Sequence, residues 1–234
     1  MTLSLSRRLP LYCLAASLIL GAILIPWPTT ARVWLSGETG LIEIATVIFA
    51  LWGSWTAALI IRDRKLLPHP AMAPWFGLFT ISLFFLAGEE ASWGQSWFHW
   101  QTPESYAAIN RQGETNLHNL HSFTEQVPKG LLVLAALFGG VIWPITAALR
   151  KTGPYLTEGW FSWIWPSALI WPAAALTIVM RVLERALVAT NVEDLVRAQY
   201  IGVRESIELY GVLFILAYLW DVRRRMLSQG AQAS

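Results

Sequence analysis

Apolar residues run along this chain in long blocks, and polar residues gather in the gaps between them. Six blocks stand out, at about 9–27, 40–61, 72–97, 130–149, 160–185 and 204–220. Each approaches the roughly 20 residues a helix needs to cross a bilayer, the last one drawing on its polar first turns. The pattern predicts an all-α polytopic membrane helix bundle of about six spans, one domain over 1–227 with a disordered tail over 228–234. The first block ends at Pro26-Trp27-Pro28 and is longer than a usual signal-peptide core, so it is read as a retained span.

Some thirty residues join the third and fourth blocks, too many and too structured for a passive linker. They predict a helical re-entrant or interfacial segment. Thr102-Pro103-Glu104 reads as a helix start, with Thr as cap and Pro at the first helical position. Gly113 would end that helix. Thr115 would cap another that stops before Pro128, and Asn191 would cap a short helix over Val192 to Tyr200.

Composition sharpens the class. The chain is 55% hydrophobic and only 14% charged, with a mean hydropathy of +0.47, where soluble domains carry charge on about a quarter of their residues. Fourteen tryptophans fit a membrane protein, because indoles collect at the two interfaces. The one cysteine, Cys13, allows no intrachain disulfide, and the basic residues form no broad patch, so nucleic acid is not an expected partner. Lys and Arg set the orientation. With the N-terminus in the cytoplasm, Arg7, Arg8, Arg62, Arg64, Lys65, Arg150, Lys151 and Arg223 to Arg225 fall inside, and most acids fall outside. The expectation is a multi-pass protein of a bacterial inner membrane, both termini cytoplasmic, in contact with membrane lipid and with protein partners undefined.

The polar chemistry gathers in Gly88 to Glu125. Read as one continuing helix, Glu89, Ser92, Gln95, Ser96 and His99 share a face, and Glu90, Trp93, Trp97 and Trp100 share another. Glu114, His118, His121 and Glu125 recur at helical spacing downstream, so two polar stripes are expected to face each other. Glu89 and Glu90 stand about fifteen residues beyond Pro74, roughly 22 Å along a helix. Carboxylates at that depth must be protonated, paired with a cation or bound to metal. Arg181 and Arg185, with Glu184 between them, are the expected partners. Glu43, Glu205 and Glu208 read instead as acids in the first turns of helices, where the dipole favours them.

These residues suggest a site with Glu89 and Glu90 as the catalytic carboxylates. Glu89, His99, His118 and His121 would be ligands of a divalent, zinc-like metal, and a purely structural Glu–Arg network is the rival reading. Gln95, Glu114, Asn116, Asn119, Arg181 and Arg185 would touch substrate or support the site. The tryptophans read more readily as an interfacial anchor than as a ligand cage. No Ser elbow, phosphate loop, His-Glu-x-x-His or paired Glu-x-x-His motif is present.

Two motifs carry a resemblance. Gly88-Glu89-Glu90-Ala91-Ser92-Trp93-Gly94-Gln95 and Gln112-Gly113-Glu114-Thr115-Asn116-Leu117-His118-Asn119 resemble a block shared by a group of uncharacterised bacterial integral membrane proteins. In outline alone, the adjacent glutamates are similar to those of CAAX-type intramembrane proteases, whose following Arg is replaced by Gly94-Gln95. The carboxylate-plus-histidine set is similar to that of alkaline ceramidase-like hydrolases, which have seven spans. The resemblance implies a membrane protein and brings no assigned activity.

The resulting expectation is a polar carboxylate and histidine site opening to the outer face. Its leading reading is a metal-assisted hydrolase or transferase acting on a lipid-like or small-molecule substrate, in which the metal acidifies water and a carboxylate takes the proton. A proton- or cation-coupled transporter and a non-catalytic membrane assembly subunit are the alternatives.

Overall fold

The computed structural model describes residues 40–110, 113–152, 159–189 and 197–233. The first predicted span and the helix predicted after Asn191 lie outside these residues or largely so. The described residues are helical, with no strand among them. Helix α1 is Leu41–Arg62 and α2 is Ala73–Glu90. Two short helices follow in the connecting segment, α3 (Gln95–Phe98) and α4 (Glu104–Ala107). Then come α5 (Ser122–Ala135), a π-helical stretch Ala136–Ile142 and α6 (Trp143–Arg150). Helices α7 (Phe161–Ile164), α8 (Trp171–Ala189) and α9 (Arg197–Ala233) complete the order. Among the described residues, four stretches are long and apolar enough to cross a membrane: Leu41–Arg62, Pro70–Glu90, Gln126–Arg150 and Phe161–Ala189.

Helix α9 is the axis of the bundle. Leu209, Tyr210 and every residue from Val212 to Leu219 are buried, so this helix is covered on all sides, as an all-round apolar helix must be. It packs against α1 and α8, while α1 also packs along α2. The outward faces of the other helices carry exposed Trp55, Ile81, Phe84, Leu131 and Leu149, the surface that lipid tails would cover.

Polar links fix the helices at chosen depths. Ser54 donates to the Thr80 carbonyl at 2.8 Å, joining α1 to α2. Trp75 donates its indole N–H to the Tyr218 hydroxyl at 2.9 Å, and Tyr218 donates onward to the Trp163 carbonyl at 2.8 Å, joining α2, α9 and α7. The π-helical stretch presents Gly139 and Gly140 to Pro166 and Ala174. A Cβ built on Gly140 would lie 2.0 Å from the Ala174 Cβ. At the opposite end from Glu90, Asp63 stands between Arg62 at 2.9 Å and Arg223 at 3.0 Å, tying α1 to α9.

Several boundaries differ from expectation. The third span stops at Glu90 and does not continue to residue 97, because Ser92, Trp93 and Gly94 all take positive φ. The helix expected to begin at Thr115 begins at Ser122 and runs unbroken through Pro128 into the fourth span. Pro128 lies inside this helix, in its second turn, and lacks the N–H that would bond four residues back. The fifth span is two pieces: α7 ends before Pro166, and α8 starts at Trp171 after a 3-10 turn over Ala168–Ile170. Residues 228–233, expected to be disordered, are the last turns of α9.

Two outcomes test this packing. Gly140→Val should lower the thermal midpoint in detergent by the equivalent of about 1–3 kcal/mol, the usual cost of overpacking. Gly130→Val, with nothing within 4 Å of its Cβ position, should change it far less. Hydrogen bonds from Arg62 and then Arg223 hold the Asp63 carboxyl at about 2, against an ordinary 3.8. Because the folded value is the lower one, the stabilisation is complete above the ordinary value and is lost as pH falls through about 2. The gap in thermal midpoint between the wild type and Asp63→Asn should therefore be small, constant down to about pH 4, and closed by about pH 2.

Candidate functional site

Where α2 ends, the chain turns back on itself. Ser92 (φ 44°), Trp93 (φ 56°) and Gly94 (φ 99°) are left-handed in succession, a conformation that only Gly adopts without cost. The turn folds the Trp93 ring against Gly88, where any side chain would meet it at 2.7 Å. Folded this way, Trp93 donates its indole N–H to Glu89 Oε1 at 2.7 Å. The aromatic residue expected on the Glu90 face therefore serves Glu89.

Glu89 is 3% exposed, and its second oxygen is also occupied. Glu89 Oε2 accepts the main-chain N–H groups of Leu117 and His118, both at 2.7 Å. His118 Nδ1 stands 3.6 Å from the same oxygen, with the imidazole half-buried. A buried carboxylate demands donors, and here three N–H groups supply them.

The same block builds a second centre on Glu114. Glu114 Oε2 accepts from the Ser92 hydroxyl at 2.7 Å, from the Asn119 amide at 3.3 Å and from the Asn116 amide. Asn116 also donates to Ser92 Oγ at 2.9 Å. Asn110 donates to the Asn116 carbonyl and accepts the Glu114 N–H, while Tyr106 donates its hydroxyl to the Asn116 carbonyl at 2.8 Å. Burial, and then the nearby Glu89 charge, raises the Tyr106 phenol above its ordinary value. Gln95 accepts the Thr115 N–H at 2.7 Å and donates to Thr102 at 2.8 Å. Thr102 is thus spent on Gln95, and α4 begins without its cap.

Glu89, Gln95, Glu114, Asn116, Asn119 and His118 are therefore gathered into one network, though not through two facing helical stripes. His118 lies in a turn rather than on a helix. His121 is the exposed N-cap of α5, held in a capping box with Thr124. His99 is exposed and left-handed at the end of α3. Neither joins Glu89, and among the described residues no three His, Cys, Asp or Glu side chains come together as a metal-holding group.

Glu90 faces elsewhere. Its charged neighbours are Glu208, Lys129, Glu43 and Glu205, drawn from α9, α5 and α1. Lys129 pairs with Glu208 at 3.4 Å, both side chains nearly buried. The expected partners are used differently: Arg181 pairs with Glu184 on its own helix and donates to Gln126 at 3.2 Å, and Arg185 is exposed. Glu205 and Glu208 are not first-turn acids, because α9 begins two turns earlier, at Arg197. Lys129 was the signal to follow in the sequence: a lysine just after Pro128, at the mouth of an apolar block, is costly unless a carboxylate meets it.

The chain matches no family model, no curated protein and no solved structure.

The geometry predicts which glutamate holds the connecting segment. Glu89→Gln places an amide where Glu89 now accepts N–H groups, leaving at least one donor unmatched at about 1–3 kcal/mol. Hydrogen–deuterium exchange at the Leu117 and His118 amides should accelerate at least tenfold, with α1 and α9 unchanged. Unchanged exchange at those two amides would refute the role.

Proposed function

We propose that the protein is a multi-pass membrane protein that binds and passes protons or a small cation through the Glu90 end of its bundle, as a proton- or cation-coupled transporter. The observation that carries this reading is the nearly buried Lys129–Glu208 ion pair at 3.4 Å, with Glu90, Glu43 and Glu205 as charged neighbours at the same end of the bundle. Acids and a lysine sharing a poorly hydrated helix end interact strongly, and such groups in membrane helices line ion and proton paths. Glu89 is bonded in sequence to Glu90, and the half-buried His118 stands 3.6 Å from Glu89. In the orientation set by the basic residues, His118 faces the outer side of a bacterial inner membrane.

A second reading rests on the Glu89–His118 pair itself. A carboxylate beside Nδ1 orients an imidazole and stabilises its protonated form while Nε2 takes a proton from water. That arrangement suits a hydrolase or transferase acting on a lipid-like substrate at the outer interface, where Trp93, Trp97 and Trp100 are exposed. A metal-assisted form would recruit His99 or His121 to Glu89 and His118, and metal content of the purified protein, with and without His118→Ala, tests it.

The deciding experiment uses protein reconstituted into liposomes holding a trapped pH dye. An imposed sodium or potassium gradient should drive a proton flux well above that of empty liposomes, and Glu90→Gln should cut it at least tenfold while keeping the helical content. Flux equal to that of empty liposomes, or unchanged in Glu90→Gln, overturns the transport reading. Hydrolysis of vesicle lipid abolished by His118→Ala would establish the second.

A further inference from the structure

At the end of the bundle opposite Glu90, the segment joining α1 to α2 meets the start of α7. We propose that this notch clasps the phosphate of an anionic glycerophospholipid. Four observations converge there. His69 Nδ1 accepts the Ala71 N–H at 3.2 Å, so in the neutral ring the proton sits on Nε2, which is left as a donor. The His69 ring stands 6.1 Å from that of Trp160, which stacks on Phe161 at 3.9 Å.

Trp160 and Phe161 are 43% and 50% exposed and sit where a candidate span begins, the depth at which aromatic rings meet lipid headgroups. Arg64 and Lys65 are exposed, and neither pairs with an acid among the described residues.

Among the described residues, Asp63 and Arg225 are already committed. Asp63 is held by Arg62 and Arg223, so it does not cancel Arg64 or Lys65. Arg225 lies over the Trp163 ring at 4.1 Å and donates to the Ser162 carbonyl at 2.9 Å. What remains at the surface is a guanidinium, an ammonium and an imidazole N–H beside an aromatic pair. All three donors lie on the same short connection and would suit the oxygens of a phosphate, and the aromatic pair, with the exposed Leu66, calls for an apolar body attached to that phosphate. A lipid supplies both, and free phosphate supplies one.

The test is lipid retention by native mass spectrometry and thermal midpoint in micelles doped with phosphatidylglycerol, phosphatidylcholine or no lipid, with inorganic phosphate as a separate arm. Phosphatidylglycerol should be retained and should raise the midpoint, and phosphatidylcholine and inorganic phosphate should not. The double variant Arg64→Gln/Lys65→Gln should weaken the phosphatidylglycerol response at least tenfold, while Arg64→Lys keeps most of it. Trp160→Ala should weaken it as well. An equal response to phosphatidylcholine, an equal response to inorganic phosphate, or full retention by the double glutamine variant overturns the proposal. Both variant residues are exposed and distant from Glu90, so proton flux in liposomes of neutral lipid should not change, which separates this result from the transport test.

Discussion

A carboxylate buried at the end of a membrane helix is tolerable only if donors are brought to it, and the connecting segment of this protein is folded around meeting that demand at Glu89. Water at an interface could solvate one oxygen, but Glu89 is enclosed, so an indole and two main-chain N–H groups take its place. Each donor imposes a constraint. The indole requires the left-handed turn after α2 and the bare Gly88, and the two amides require residues 117 and 118 to lie across the helix end. Once those are met, Ser92 and Gln95 fall against Glu114 and Thr115, and the rest of the network follows.

The two adjacent glutamates thereby acquire different surroundings. Side chains on neighbouring helical residues point about 100° apart, which is enough to send one into the connecting segment and the other into the bundle. Glu89 meets uncharged donors and a histidine. Glu90 meets charges from three other helices. The first arrangement holds a segment in place, and the second concentrates charge where lipid would otherwise be, which is why the proposed ion chemistry is assigned to Glu90.

The sequence exposed four helices long and apolar enough to cross a membrane and the block in which the polar network lies, because hydrophobic blocks and misplaced charges are local signals. It did not expose how that block folds. Assuming one continuous helix put Trp93 with Glu90 and His99 with Glu89, whereas three residues of positive φ end the helix first. Only Gly94 hints at that turn; Ser92 is left-handed while bonded to Glu114, twenty-two residues on, and Trp93 while bonded back to Glu89. The pairing of Lys129 with Glu208 likewise spans distant parts of the chain. Arg181, expected to meet the adjacent glutamates, is claimed by the nearest acid on its own helix.

Helix α9 has 37 residues, so its axis is about 55 Å long, against roughly 30 Å for the hydrocarbon of a bilayer. Were it to cross a bilayer, some 25 Å of it would stand in headgroups or water. Its far end is still braced, since Leu66 reaches within 3.2 Å of the Cβ position of Gly230. Whatever approaches the bundle from that side meets a stiff post rather than a loose tail. The post is continuous with the buried axis, so one helix joins its tip to Glu208 and Glu205.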